Sequence, residues 1–191
     1  MREFDLDNGQ WLNPPDSVSL EDGVLSVGAA EFSDFWRTTS YGFVHDSGHA
    51  LLSVLEQDSA VEVSWMLDYD QQFDQAGIFV FADERNWVKA GIEFCDGAPQ
   101  LGAVVTREYS DWSVAPVSDW QGTEVHLRIS RSGDALTIRA RRDGEWKLVR
   151  LCYLDPNLSW QAGLFCASPS RAGLVVRFTG IARGLADSSL H

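Results

Sequence analysis

A chain of 191 residues that is 45% hydrophobic and 23% charged has the composition of one globular domain, long enough to bury a core without a disulfide or a metal. Its 28 acidic residues outnumber the 15 basic ones, and the net charge of −13 excludes nucleic acid and anionic membrane surfaces as expected partners. No apolar run approaches the roughly 20 residues that cross a bilayer.

The cysteines and the first residues predict a cytoplasmic protein. Cys95, Cys152 and Cys166 are odd in number and widely spaced, and they show no paired metal-ligand spacing. The opening residues, MREFDLDN, lack the apolar core of a signal peptide. Free thiols in a reducing compartment fit this pattern better than a secreted disulfide scaffold does.

In chain order, the first half reads as short strands separated by turns, with almost no helical periodicity. Pro14-Pro15 marks an early loop, and Asp46-Ser47-Gly48 predicts a tight turn before a strand that begins at His49. The next strand, 61–69, alternates so that one face carries Val61, Val63, Trp65, Leu67 and Tyr69. These residues predict a strand whose apolar face is buried.

The stretch 74–94 predicts two strands joined by a tight polar turn, and the second strand has two chemically different faces. Its even-numbered side chains are apolar: Val88, Ala90, Ile92 and Phe94. Its odd-numbered positions point the other way: Trp87, Lys89, Gly91 and Glu93. We expect the even face to pack against a second layer and the odd face to form a shallow polar-aromatic site.

The second half continues the strand pattern. Alternating strands at 125–130 and 136–141 flank a turn, and Asp143-Gly144 predicts a hairpin into 145–151. A buried strand at 161–167 and a last strand at 173–181 follow. These elements predict an all-β fold of two packed antiparallel sheets of the jelly-roll kind. We expect one domain over residues 1–185 and a frayed tail at 186–191.

Several distinctive sequence segments occur in order between residues 11 and 115. They are SDFWR at 33–37, YGFVHDSGH at 41–49, DQAG at 74–77, DERNWVKAGIE at 83–93 and SDWS at 110–113. On these segments the chain resembles the regulation-of-enolase-like family, a domain of unknown function grouped with concanavalin A-like lectins and glucanases. The resemblance implies a concanavalin A-like sandwich and mostly intracellular relatives, and it implies no proven activity.

Two groups of side chains are the main candidates for a ligand site. Trp87, Lys89 and Glu93 offer an indole to stack on a sugar ring and polar groups to bind its hydroxyls. The alternative is a solvent-facing strand on which Lys89 pairs with Glu93. Asp111 and Trp112 add a second indole beside a carboxylate, although a Ser-Asp-Trp-Ser stretch also suits a plain turn.

Three further residues are candidates for the border of the site. Trp36 could lie at the rim, or in the core beneath the neighbouring Arg37. His45 and His49 could each line the groove, or His49 could simply open its strand. Ser47 and His49 do not predict a nucleophile triad with the adjacent Asp46, because triad members normally come from separated segments.

The acidic residues do not reproduce a glucanase or a calcium pattern. Many glucanases of this fold carry E-x-D-x-E or E-x-D-x-x-E on one strand, whereas Glu93 is followed at the same spacing by Cys95. The run from Asp68 to Asp74 is rich in oxygen ligands but lacks the glycine and closing glutamate of an EF-hand, so an acidic loop is the alternative. We expect no cofactor and no metal.

These observations favour an intracellular, non-catalytic module that binds a carbohydrate or sugar-like metabolite in a groove on the concave sheet. Two alternatives stay open. One is a glycoside-active enzyme in which Glu93 and His49 meet within hydrogen-bonding reach. The other is a protein-interaction module in metabolic regulation, or a homo-oligomer, for which a large exposed apolar patch outside the groove would be the sign.

Overall fold

The computed structural model of the protein describes residues 8–190, which are almost entirely β-structure. Within these residues there is no α-helix, and one 3-10 turn spans Ser118–Trp120. In chain order the strands are β1 (Gln10–Leu12), β2 (Ser17–Glu21), β3 (Val24–Gly28), β4 (Phe35–Arg37), β5 (Val44–Asp46), β6 (His49–Val54), β7 (Ser59–Met66), β8 (Gln75–Asp83), β9 (Asn86–Cys95), β10 (Ala98–Arg107), β11 (Tyr109–Pro116), β12 (Glu124–Ser132), β13 (Ala135–Arg141), β14 (Lys147–Tyr153), β15 (Gln161–Ala167) and β16 (Val175–Leu185).

Two antiparallel sheets of seven strands each form a jelly-roll sandwich. The front sheet has the order β1-β6-β15-β8-β9-β10-β11, and the back sheet has the order β14-β13-β12-β7-β16-β3-β2. The all-β prediction is therefore confirmed, as are the predicted bounds of β15. None of the helical segments within residues 8–190 has the length and apolarity needed to span a bilayer.

The main core fills the space between the two sheets. Its largest fully buried side chains include Trp65 of the back sheet, Leu67 just after β7, and Ile78 and Ile92 of the front sheet. Alternation explains this core, because every second residue of a strand points to the same side. The predicted inward faces of 61–69 and of Val88, Ala90 and Ile92 are confirmed.

A second apolar cluster lies outside the sandwich, on the outer face of the front sheet. Strands β4 and β5 pair with each other and, with the turn between them, form an arm (residues 35–46) that covers part of this face. Phe35 of the arm stacks on Phe79 of the sheet, with ring centroids 4.1 Å apart. The arm is also tied to the sheet edge, since the Arg37 N–H donates to Ser110 Oγ at 2.9 Å.

The carboxyl-terminal prediction needs correction. The last strand runs to Leu185, and residues 186–190 are held in place rather than frayed. The Asp187 carboxylate pairs with Arg128 and Arg139 of the back sheet, and Arg139 also donates to the carbonyl oxygens of Ser189 and Leu190. Two arginines of neighbouring strands thus clamp the tail. The predicted start of the domain at residues 1–7 and the last residue, 191, lie outside the described residues.

The three cysteines are buried and unpaired with one another. Burial raises the pKa of the Cys166 thiol to about 12. Burial, together with the nearby Glu93 and Asp96 carboxylates, raises the pKa of Cys95 to about 11. Because the thiolate is the reactive form, these thiols are poor nucleophiles in the folded protein.

Candidate functional site

The side chains on the outer face of the front sheet form regular rows, because the strand registers place outward-facing residues side by side. Three rows cross β8, β9 and β10: Gln75, Glu93 and Gln100; Gly77, Gly91 and Gly102; and Phe79, Lys89 and Val104. The middle row, which we call the glycine floor, has no side chains of its own between a polar row and the Lys89 row; Gly77 and Gly102 are buried and Gly91 is half-buried. A glycine inside a strand often marks a place where a ligand or another backbone approaches closely.

Close backbone approach explains why two of these positions are glycine. A Cβ on Gly77 would lie 2.0 Å from the carbonyl oxygen of Ala90, and one on Gly91 would lie 2.0 Å from that of Ala76. No side chain fits at such distances. The strand packing itself therefore requires glycine at these two positions.

A cavity of about 570 Å³ opens between this part of the sheet and the arm. We call it the aromatic chamber, because six aromatic side chains border it: Phe32, Trp36, Tyr41, Phe43, Phe73 and Trp112. Its polar border includes Lys89, Glu93 and Gln75. A smaller depression over Gly91 and Gly102 adjoins the chamber and shares these polar residues and Trp112 with it.

Lys89 is buried at the base of the chamber and is neutralised by a partner from the arm side. Its Nζ donates to Asp34 Oδ1 at 3.0 Å and to Gln75 Oε1 at 2.7 Å. Gln75 Nε2 and the Phe35 N–H also donate to Asp34 Oδ1, at 3.3 and 2.7 Å. A buried ammonium requires such pairing, because its transfer from water is costly. The predicted alternative pairing of Lys89 with Glu93 is replaced by this ion pair with Asp34.

Glu93 borders the same chamber in a different electrostatic state. Its carboxyl group accepts no hydrogen bond from any of residues 8–190 and is mostly buried. Burial raises the pKa of Glu93 to about 7; Lys89 opposes this rise, and the Asp34 and Asp96 carboxylates add to it. The chamber therefore combines a neutralised cation with a carboxyl group that exchanges its proton near neutral pH.

A buried ion pair fixes the loop that closes another side of the chamber. Asp74 is fully buried, and Arg171 Nε donates to both of its carboxylate oxygens, at 3.1 and 3.0 Å. Ser168 Oγ donates to Asp74 as well, at 3.4 Å. This pair holds the loop after β15, whose Pro169 and Ser170 border the chamber.

The structure places five of the eight candidate residues at this cavity: Lys89, Glu93, Trp112, Trp36 and His45. Trp36 satisfies both of its proposed positions, since its side chain is largely buried and yet forms part of the chamber wall. Its Nε1 donates to the Thr39 carbonyl at 3.0 Å, and its ring meets that of Trp112 at right angles, with centroids 6.3 Å apart.

The expectation that Trp87 looks into an open groove is wrong. Trp87 points to the predicted side of β9 but is only 4% exposed, because the arm covers it. Its ring lies 5.5 Å from that of Phe79 and 6.1 Å from that of Phe35. It borders a separate cavity of about 260 Å³ beneath the arm, and its main role is packing.

His49 and Asp111 do not line the groove; His49 instead opens β6, the alternative that the sequence left open. The row of His49 continues through Cys166 and Ala76, which face the interior, so His49 lies on the opposite side of the sheet from Glu93. Its two ring nitrogens are used by the backbone: the Ala30 N–H donates to Nε2 at 3.0 Å, and Nδ1 lies 2.8 Å from the Asn13 carbonyl oxygen.

The Asp111 side chain points away from that of Trp112, as neighbouring residues on a strand do. It extends toward the back sheet, where its carboxylate pairs with Arg150 of β14 at 3.1 Å. In the acidic stretch, Asp68 pairs with Arg177 as Asp74 does with Arg171. Among residues 8–190 no three His, Cys, Asp or Glu side chains cluster closely enough to hold a metal ion.

Sequence reasoning missed much of the chamber wall, including Phe32, Tyr41, Phe43 and Phe73. Two signals were available in the sequence. Tyr41 and Phe43 flank a glycine in a turn, where aromatic residues have no core to enter, and Phe73 ends an otherwise polar loop. Asp34 was missed as the partner of Lys89 because 55 residues separate them in the chain.

The fold is that of a concanavalin A-like jelly-roll domain, with an aromatic-walled cavity on one sheet face. The chain belongs to the family described as a protein of unknown function (DUF1349), which matches residues 11–184. It is 38% identical over 179 residues to Regulation of enolase protein 1 of Saccharomyces cerevisiae, with 93% of this chain and 90% of that protein covered.

Solved structures agree with this assignment. A functionally unknown protein from Saccharomyces cerevisiae superposes with a TM-score of 0.89 at 36% identity, covering 96% of this chain and 99% of that one. The GH43 protein BlXynB of Bacillus licheniformis gives a TM-score of 0.72 at 14% identity, covering 94% of this chain and 37% of that one. The latter likeness shows a shared fold.

Proposed function

We propose that this protein is a non-catalytic module that binds a carbohydrate or sugar-like metabolite over the glycine floor and in the aromatic chamber. The observation that carries the proposal is the depression over Gly91 and Gly102, which is bordered by Lys89, Glu93 and the indole of Trp112. A ring placed against this depression would stack on the indole and reach the polar groups at its border.

The polar groups lie together at one end of the depression. Lys89 Nζ donates to Gln75 Oε1 at 2.7 Å, and Gln75 lies beside Glu93 on the neighbouring strand, so Lys89 and Glu93 face the same end of a bound ring. Gln75 and Gln100 flank Glu93 on the neighbouring strands. The Gln75 amide is already used by Lys89, Asp34 and the Phe73 carbonyl, so Gln100 is the better placed of the two to contact a ligand. The fold shared with a GH43 protein supports carbohydrate binding by analogy.

The enzyme alternative that pairs Glu93 with His49 has no geometric support. The two side chains lie on opposite faces of the front sheet, and both nitrogens of His49 are occupied by backbone groups. A proton cannot pass between them directly or through one water, as general acid–base catalysis by such a pair would require. The protein-interaction and homo-oligomer alternatives stay predictions.

We also propose a cytoplasmic location, which the three unpaired cysteines support. Fluorescence microscopy of the tagged full-length protein tests it, and secretion into the medium would contradict it.

Calorimetry with a panel of monosaccharides and short oligosaccharides tests ligand binding. We expect Trp112→Ala to weaken binding about tenfold, because stacking on one exposed ring contributes roughly 1 kcal/mol or more. Tyr109→Ala is the matched control, since Tyr109 is an exposed aromatic residue on the same strand and its side chain points to the other face. Absence of binding to the whole panel, or equal losses in the two variants, would contradict the proposal.

A further inference from the structure

We infer that the aromatic chamber binds the positively charged nitrogen of an alkylammonium group, enclosed by the rings of Trp36, Tyr41, Phe43 and Trp112 and facing the carboxylate of Glu93. This inference rests on the proposed ligand-binding role and adds to it the charge of the ligand. It covers amino sugars and quaternary amines alike, because the recognised chemistry is the cationic nitrogen.

The aromatic wall has the composition that cation recognition uses. Trp36 and Trp112 are perpendicular, and Trp36 also meets Tyr41 at 66° with centroids 5.6 Å apart. Tyr41 stacks on Phe43 at 5.2 Å, which extends the wall along the arm. The faces of aromatic rings carry negative potential, so several rings at one cavity attract a cation more strongly than a neutral group.

Three of these rings are exposed although they are large and apolar. Tyr41 is 61% exposed, Phe43 is 42% exposed and Trp112 is 39% exposed, and all three border the same cavity. Scattered exposed apolar residues are ordinary, whereas a contiguous set around one concavity marks a binding surface.

The charges of the chamber favour a cation over an anion. Lys89 is the only lysine or arginine at the chamber among residues 8–190, and its charge is compensated by Asp34 at 3.0 Å. Glu93 then remains as an uncompensated acidic group, in a chain whose formal net charge is −13. A ligand carboxylate would be repelled, and a ligand ammonium would be attracted.

Two aromatic residues at the rim are held in a strained backbone conformation. Phe32 has φ of 64° and Phe73 has φ of 67°, in the left-handed region that bulky residues rarely adopt. This conformation is unfavourable for a bulky residue, and residues of this kind cluster at ligand clamps. Since Phe32 is 66% exposed, little burial offsets its strain, which favours a role toward the cavity.

Binding of a cation should strengthen as the pH rises through the pKa of Glu93. The charged groups that face Glu93 are Lys89 on its own strand, Asp34 beside the arm and Asp96 in the turn after β9. His45 of the arm borders the same chamber. The Glu93→Gln variant isolates the contribution of Glu93, because it removes that carboxyl group and keeps every other group of the chamber.

The test is calorimetry on the full-length protein with tetramethylammonium and choline, whose charge does not change with pH, at pH 6 and pH 8.5. The neutral comparator is 3,3-dimethyl-1-butanol, which replaces the trimethylammonium group of choline with tert-butyl, and glucose is the neutral sugar probe. We expect choline to bind at least about tenfold more tightly than this comparator at pH 8.5. In the wild type the affinity for cations should fall about tenfold at pH 6, since Glu93 is then mostly protonated.

Glu93→Gln should lose most of its preference for cations and most of the pH dependence of cation binding. Tyr41→Leu should lower the affinity for cations severalfold and leave the affinity for the neutral comparator unchanged. Urea unfolding confirms that each variant is folded. Equal affinity for choline and its neutral isostere, or an unchanged preference in Glu93→Gln, would overturn the inference. Sugar binding without cation preference would refute only this inference, whereas cation binding without sugar binding would refute only the carbohydrate proposal.

Discussion

Replacement of Glu93 by glutamine should stabilise the fold in a pH-dependent way. The pKa of Glu93 rises from its ordinary value of 4.5 to about 7 in the folded protein, chiefly because the carboxyl group is buried. Each pH unit between the folded and unfolded pKa corresponds to about 1.4 kcal/mol, so ionisation of Glu93 costs at most about 3 kcal/mol. Solvent at the chamber mouth screens part of this cost.

The direction of the pH dependence follows from the linkage between proton binding and folding. Because the folded pKa is the higher one, the stability contributed by the bound proton is fully present below pH 4.5 and is lost as the pH rises through 7. The glutamine of the variant cannot ionise, so we expect the two proteins to be about equally stable at pH 4.5. By pH 8 the variant should be more stable by as much as about 3 kcal/mol.

Urea unfolding at pH 4.5, 6, 7 and 8 measures this difference, with unchanged slopes showing that both proteins unfold to the same extent. All other titrating groups are common to the two proteins, so their effects cancel in the difference. Two results would refute the assignment of Glu93 as a buried, unpaired carboxyl. One is a stability difference that is the same at every pH, and the other is a wild type whose stability rises relative to that of the variant between pH 5 and 7.

Three further changes test the fold around the site, each by urea unfolding. Arg171→Ala should cost about 3–5 kcal/mol, because it leaves the fully buried Asp74 without its charge partner. Gly91→Ala should cost about 3 kcal/mol or more through its backbone clash, whereas Gly184→Ala, with no atom within 4 Å of the added carbon, should change stability by less than about 1 kcal/mol. Phe32→Gly should keep stability within about 1 kcal/mol of the wild type, since relief of strain offsets the lost contacts, and should weaken choline binding.

The controls and contrary outcomes are specific to each change. Arg177→Ala removes the exposed partner of Asp68 and should cost less than about 1 kcal/mol, so equal losses in the two arginine variants would contradict the role of burial. A tolerated Gly91→Ala would show that the strands can separate. A loss of more than about 2 kcal/mol in Phe32→Gly would show that the ring supports the fold, in contrast to its strained backbone.

The sequence predicted those features that depend on neighbouring residues in the chain. Val88, Ala90 and Ile92 are buried as expected because alternation along a strand is a local property. The bounds of β15 (Gln161–Ala167) also follow from a local run of apolar residues flanked by turns. The same reasoning placed Lys89 and Glu93 on the outer face, where the cavity lies.

The features that sequence reasoning missed depend on which distant segment covers a face. Trp87 points outward as predicted, but Phe35, which is 52 positions earlier in the chain, lies over it. His49 is the first residue of β6, so too few alternating neighbours reveal its face. For the tail, the clamp on Asp187 depends on two arginines from other strands, and no pattern in residues 186–191 indicates it.

The reactivity of the buried thiols measures how often the folded protein opens. Cys166, at 0% exposure in the middle of the front sheet, can react with an alkylating reagent only when the sandwich separates. Cys95 ends β9 beside a turn and is reached by a smaller fluctuation. Alkylation rates at these two native cysteines, measured by mass spectrometry of peptides, therefore distinguish local fraying from global unfolding without an introduced cysteine. A ligand seated on the sheet should slow modification of Cys95, which adjoins Glu93, as well as that of Cys166.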